Sequence, residues 1–170
     1  FGSTSHVLGN TQRKVYPTRH SHVNYVVADT DKWEQIAAKT LDELADEGHV
    51  LAYVKNAFLG FAIPYAALGG NHPEWKEAEQ NQRLNDRYPE DHKAERDFGG
   101  HPLYYPDFIV KCKAPDGEIF HLILEITGMD RHKTQKRWYV QNRWLPAVNA
   151  VRDQYPELCD YGPWRFVEII

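Results

Sequence analysis

Two carboxylates, Asp107 and Glu125, stand where acids are unusual. Asp107 follows Tyr104-Tyr105-Pro106, and Glu125 interrupts the apolar run 120–126. A charge buried in such a run is costly unless it has a partner. Between the two acids lies Pro115-Asp116-Gly117, a turn signal flanked by strand-forming residues. The spacing predicts strands over 104–113 and 119–127 joined as a hairpin, which brings the acids close together. Hard oxygen ligands on neighbouring strands suit Mg²⁺ (or Mn²⁺), with the backbone carbonyl of Ile126 as a further donor. An ion held there would activate water and offset charge on a phosphate. The competing reading is two unrelated acids at strand edges.

A second group of residues lies just beyond the acids. Arg131, Lys133, Lys136, Arg137 and Arg143 form a local basic cluster in a net acidic chain. Beside a metal site, such a cluster fits contact with a phosphate backbone; alone, it is an ordinary solvated face. Trp138 and Tyr139 suit packing better than base stacking. His20 and His22 make an H-x-H pair with no third ligand at a convincing spacing. No Gly-rich phosphate loop and no Ser-His-Asp arrangement stands out.

The elements that must hold these residues are read from periodicity. Residues 31–47 predict a helix whose inner face is Trp33, Ile36, Ala37, Thr40, Leu41 and Leu44. Asp31 and Glu34 form a capping box, and Gly48 ends the helix. Strands are expected at 50–54, 60–65, 104–113 and 119–127. On the last of these, Leu122, Leu124 and Ile126 face one way, and His121, Ile123, Glu125 and Thr127 the other. Apolar residues on both faces predict a central strand. Residues 131–155 read as a long helix with a buried stripe of Val140, Trp144, Ala147, Val148, Val151 and Tyr155, kinked or split at Pro146. A final strand occupies 164–170. Residues 1–22 read as an extended linker, with a short strand near 23–27. A polar insertion is expected at 69–103, partly helical near 74–84. Strands, a crossover helix and a further strand imply an α/β fold with a mixed central sheet flanked by helices.

This layout resembles the PD-(D/E)xK nuclease superfamily, whose core is αβββαβ and restriction-endonuclease-like. More narrowly, it is similar to the C-terminal endonuclease domain of type III restriction subunits and related helicase-nucleases. The residues that carry the resemblance are Trp33-Glu34, Tyr53-Val54-Lys55-Asn56, Leu59-Gly60-Phe61, Ile63-Pro64-Tyr65, Tyr105-Pro106-Asp107-Phe108, Glu125-Ile126-Thr127-Gly128 and the helix with Lys133 and Lys136. They span residues 23–170. The resemblance implies a Mg²⁺-dependent DNA endonuclease of a restriction or anti-phage defence system. It implies a helicase or translocase domain in the same parent chain or complex. Asp107 and Glu125 would hold the metal, with Ile126 and the first-helix acid Glu34; the capping box explains Glu34 equally well.

The sequence departs from the family at one position. The expected lysine is Thr127, which can donate a hydrogen bond but carries no charge. Either another residue supplies the charge or the domain is a catalytically inactive fold that binds nucleic acid or protein. Lys133, Lys136, Val140 and Trp144 lie on one helical stripe, so Lys136 can project back toward the acids. Lys111, on the same strand face as Asp107, is the second candidate.

The composition bounds these readings. Of 170 residues, 42% are hydrophobic and 26% charged, enough for one domain with a sizeable core. No apolar run is long enough to span a membrane. Two cysteines, Cys112 and Cys159, give no disulfide framework; reduced, mostly buried thiols and a cytoplasmic location are expected. The net charge of −4 is unlike that of most DNA-binding domains, although a metal nuclease must cluster acids. The start at Phe1-Gly2-Ser3, without an initiator methionine, suggests a piece of a longer protein. A homodimer is compatible with the sequence.

Overall fold

Small apolar residues three to four apart drive the first helix onto the sheet. In the computed structural model, which describes residues 11–27, 33–57, 59–64, 103–127 and 134–169, helix α1 spans Trp33–Asp46. Gly48, just beyond its end, has φ +83°, a conformation that costs glycine little. The capping residue expected at Asp31 lies outside the described residues. The buried face differs from the expected one. Glu34, Ala37, Ala38, Leu41 and Asp42 point inward, whereas Trp33 and Ile36 are exposed. Two acids with internal partners account for the rotation. Glu34 pairs with Lys55 at 3.0 Å, and Asp42 accepts from the Thr18 hydroxyl at 3.0 Å. Tyr53 donates to Thr18 at 2.7 Å and so ties the helix to the sheet.

The sheet has four strands: β3 (Val50–Lys55), β6 (Phe108–Lys113), β7 (Ile119–Ile126) and β8 (Trp164–Ile169), in that spatial order. β3–β6 and β6–β7 are antiparallel, and β7–β8 is parallel. The chain is thus mixed α/β with a mixed sheet flanked by helices. β6 and β7 join through the expected turn, where Gly117 has φ +92° and Glu118 N–H donates to Asp116 at 3.0 Å. β7 is central, with the expected faces. Leu122, Leu124 and Ile126 pack with the α1 core around Tyr53, Phe108 and Val110. Ile123 is fully buried on the other face, and His121 stacks on Trp164 with ring centroids 5.0 Å apart.

Four short strands lie outside the sheet. β1 (Val15–Pro17) and β2 (Tyr25–Val27) form a hairpin within and beside the stretch expected to be a linker, with Val26 in the α1 core. The strand expected at 60–65 is only β4 (Ile63–Pro64), paired with β5 (Leu103–Tyr104) in a separate ribbon. Proline lacks the N–H that a central strand needs, which confines Pro64 to such an edge. Of the insertion expected at 69–103, only Leu103 is described.

The second helical layer is broken as Pro146 requires, but by an unusual device. α2 (Thr134–Tyr139) passes into a π-turn (Val140–Trp144), then α3 (Leu145–Gln154) and α4 (Pro156–Cys159). The Leu145 N–H reaches back to the Val140 carbonyl, and proline occupies the first turn of α3, where its missing N–H is least needed. The extra residue rotates α3 by roughly 100° relative to α2. Val140 and Trp144 therefore join the second core with Tyr104 and Phe166, whereas Ala147, Val151 and Tyr155 are exposed, contrary to the expected stripe. Cys112 is buried and Cys159 is exposed. At the entry to β8, Gly162 sits at φ +70°, and a Cβ there would lie 1.7 Å from the Ile119 carbonyl oxygen.

The Glu34–Lys55 pair is buried, each side chain only 7% exposed. Lys55→Met alone should destabilise the fold by about 3–5 kcal/mol in urea unfolding, and Glu34→Leu with Lys55→Met by much less. Burial first, then the charge of Lys111, lowers the pKa of His121, against a raising hydrogen bond to Tyr161. The unfolded imidazole therefore takes up a proton before the folded one, and stability falls as pH drops below about 6.5. His121→Gln should flatten the loss of melting temperature between about pH 7.5 and about pH 5.5.

Candidate functional site

β7 ends in a row of polar groups on a strand packed on both faces, and each group needs a partner. Asp107 meets the first need. Continuing the β6–β7 register one residue beyond Phe108↔Leu124 sets Asp107 opposite Glu125. Asp107 Oδ2 accepts the Ile126 N–H at 2.8 Å, and the Asp107 carbonyl accepts the Asn56 N–H at 2.9 Å. The acid thus stitches the start of β6 to both neighbouring strands. Glu125 is buried, and Tyr104, carried in by the β4–β5 ribbon, donates its hydroxyl to Glu125 Oε2 at 2.7 Å. Burial, then the charge and hydrogen bond of Glu125, then the charges of Asp107 and Glu168, hold the Tyr104 hydroxyl far above its ordinary pKa. At neutral pH it is therefore protonated and donates to Glu125.

Thr127 is buried one residue beyond β7. Its N–H donates to the Ile169 carbonyl at 2.7 Å, and its hydroxyl donates to Glu168 Oε1 at 2.7 Å. Glu168 is the parallel-strand partner of Glu125, so it stands beside the acid pair on the same face. Arg137, from α2, reaches Glu168 Oε2 at 3.1 Å. Lys136, one residue earlier, lies with Nζ 5.6 Å from the Tyr104 ring centroid. The start of α2 is thereby directed at the end of the sheet that carries the acids.

Asp107, Glu125, the Ile126 backbone, Thr127, Lys136 and Arg137 are thus brought to one end of the sheet. Glu34 is on the opposite, α1 side, joined to Lys55, whose Nζ lies 5.4 Å from the Phe108 ring centroid. Lys111 is opposite His121, about 13 Å along β6 from Asp107, and so stands apart from the acid pair. Arg143 is held against the Trp138 ring at 5.8 Å. Arg131 and Lys133 lie outside the described residues. Among the described residues, no group of three or more His, Cys, Asp and Glu side chains is arranged to hold a metal ion. No described helix is long and apolar enough to cross a membrane.

Two members of the site were not evident from sequence. Tyr104 carried a weak signal, since a buried tyrosine hydroxyl needs a partner. Glu168 carried the signal of one acid in an alternating closing strand, but only the β7–β8 register sets it beside Glu125. No family model matches the chain, and neither a curated protein nor a solved structure matches it.

Tyr104→Phe keeps the ring and removes the donor to a buried carboxylate. The expected cost is about 1.5–3 kcal/mol of folding stability in denaturant titration. Loss of under about 0.5 kcal/mol would mean that the bond is dispensable.

Proposed function

We propose that this chain is a Mg²⁺-dependent (or Mn²⁺-dependent) DNA endonuclease module with a restriction-endonuclease-like αβββαβ core, acting in a restriction or defence system beside a helicase or translocase. The observation that supports this reading is the pairing of Asp107 and Glu125 on hairpin-linked strands, with the cationic start of α2 on the same side. Two carboxylates and the Ile126 carbonyl are hard oxygen donors of the type Mg²⁺ selects. The donor chemistry therefore fits the ion, whereas Glu34, buried against Lys55 on the α1 side, stands apart from it. When bound, the metal supplies Lewis-acid charge at the phosphate and a more acidic water.

The chain's own residues do the rest. The Ile126 N–H fixes the Asp107 carboxylate, and Tyr104 fixes that of Glu125, so neither has to be ordered when substrate arrives. Lys136 brings a positive charge to the acid pair, where the Thr127 hydroxyl is already committed to Glu168. Arg131, Lys133, Arg137 and Arg143 contact the DNA backbone, which makes binding salt-dependent.

A second reading is a catalytically inactive nuclease fold that binds nucleic acid or protein. It is favoured by the uncharged Thr127 and by the net charge of −4. Plasmid cleavage and Mn²⁺ calorimetry separate the two. On the nuclease reading, Asp107→Ala and Glu125→Ala each lower Mn²⁺ affinity and cleavage by about 100-fold or more. Equal cleavage by wild type and Asp107→Ala would sink the nuclease reading, and DNA binding without metal binding would favour the second.

A further inference from the structure

The position that lacks a lysine is wired to a different cation. Thr127 donates to one oxygen of Glu168, and Arg137 donates to the other. The Glu168 side chain is 5% exposed and that of Arg137 is 35% exposed. The chain Thr127–Glu168–Arg137 therefore runs from the buried end of β7 to solvent.

Charge explains why such a chain is needed. Glu168 sits beside Glu125 by the parallel register, and its charge acts on Tyr104 together with those of Glu125 and Asp107. A third carboxylate would repel a phosphate from this place unless a cation were fixed to it. Arg137 is that cation. A guanidinium has five N–H donors in a planar fork, so it can hold Glu168 with one edge and offer others to a phosphate. A buried, doubly hydrogen-bonded carboxylate also fixes its orientation in advance, which a flexible surface lysine lacks.

We propose that Arg137, its charge balanced by Glu168, contacts the scissile phosphate through its remaining N–H donors, and that Glu168 and Thr127 are its positioning residues. This rests on the nuclease reading above and replaces a backbone-contact role for Arg137 with one at the reacting group.

The test uses Arg137→Ala, Arg137→Lys, and Arg137→Ala combined with Thr127→Lys. All three are checked for folding by thermal melting. Plasmid cleavage is measured in Mn²⁺, Mn²⁺ affinity by calorimetry, and affinity for a fluorescent duplex in Ca²⁺ by anisotropy. Arg137→Ala should lose about 100-fold in cleavage rate with Mn²⁺ affinity within about twofold of wild type. Arg137→Lys should recover part of the loss. The Thr127→Lys combination should recover about tenfold, which a merely structural role for Arg137 would not allow.

Cleavage by Arg137→Ala within about threefold of wild type, while Asp107→Ala is inactive, would overturn this proposal and leave the nuclease reading intact. Failure of both Arg137→Lys and the folded double variant to recover any activity would overturn it equally. If wild type neither cleaves nor binds Mn²⁺, the nuclease reading has failed, and the duplex affinity decides. Unchanged affinity of Arg137→Ala overturns the phosphate contact, whereas a loss of about tenfold restored by lysine at either position supports it.

Discussion

A strand packed on both faces cannot end in polar groups unless each finds a partner, and β7 ends in three: the Glu125 carboxylate, the Ile126 N–H and the Thr127 hydroxyl. Tyr104, Asp107 and Glu168 satisfy them in turn. Each partner comes from a different element: the β4–β5 ribbon, the start of β6 and the end of β8. The requirement at one strand end thereby fixes where three other segments must arrive. The candidate site has the same origin, because satisfying β7 gathers the acids and the cations of α2 into one place.

The two cores around the sheet serve this arrangement unequally. The α1 core, built on Tyr53, Phe108, Val110 and Leu124, holds β3, β6 and β7 in register. Its polar interior contacts, Glu34 with Lys55 and Asp42 with Thr18, set the rotation of α1. The second core is smaller and aromatic. Phe61, Trp144 and Trp164 meet there, with Phe61 and Trp164 stacked at 6.1 Å. It seats the π-turn, and with it the part of the helix that carries Lys136 and Arg137 toward β7.

Local chemistry was legible in the sequence wherever it acts over a few residues. The hairpin at Pro115-Asp116-Gly117, the two faces of β7, the stop at Gly48 and the break near Pro146 could all be read from residue type and spacing. Contributions set by partners far along the chain could not. The inward face of α1 was misjudged because Glu34 and Asp42 look like surface acids until Lys55 and Thr18 are opposite them. The stripe beyond Trp144 was misjudged because periodicity assumes 3.6 residues per turn, and a π-turn breaks that phase. In the candidate site, Asp107, Glu125 and the basic helix were legible from type and order. Glu168 and Tyr104 were not, because a single acid or tyrosine has no meaning until strand register gives it neighbours.

Gly162 shows how narrow the tolerance on that register is. Where the chain turns into β8, its backbone rests against the Ile119 carbonyl, leaving no room for even one methyl group. The contact works as a mechanical datum: β8 is seated against the first residue of β7, and every later pairing is counted from there. Along β8, inward Phe166 and Glu168 alternate with outward Val167 and Ile169. A one-residue slip at the datum would exchange the two sets, turning Glu168 to solvent and an aliphatic side chain toward Glu125. The electrostatics at the far end of the sheet are therefore indexed to a missing side chain at its near end, six residues earlier in the chain than the acid it aligns.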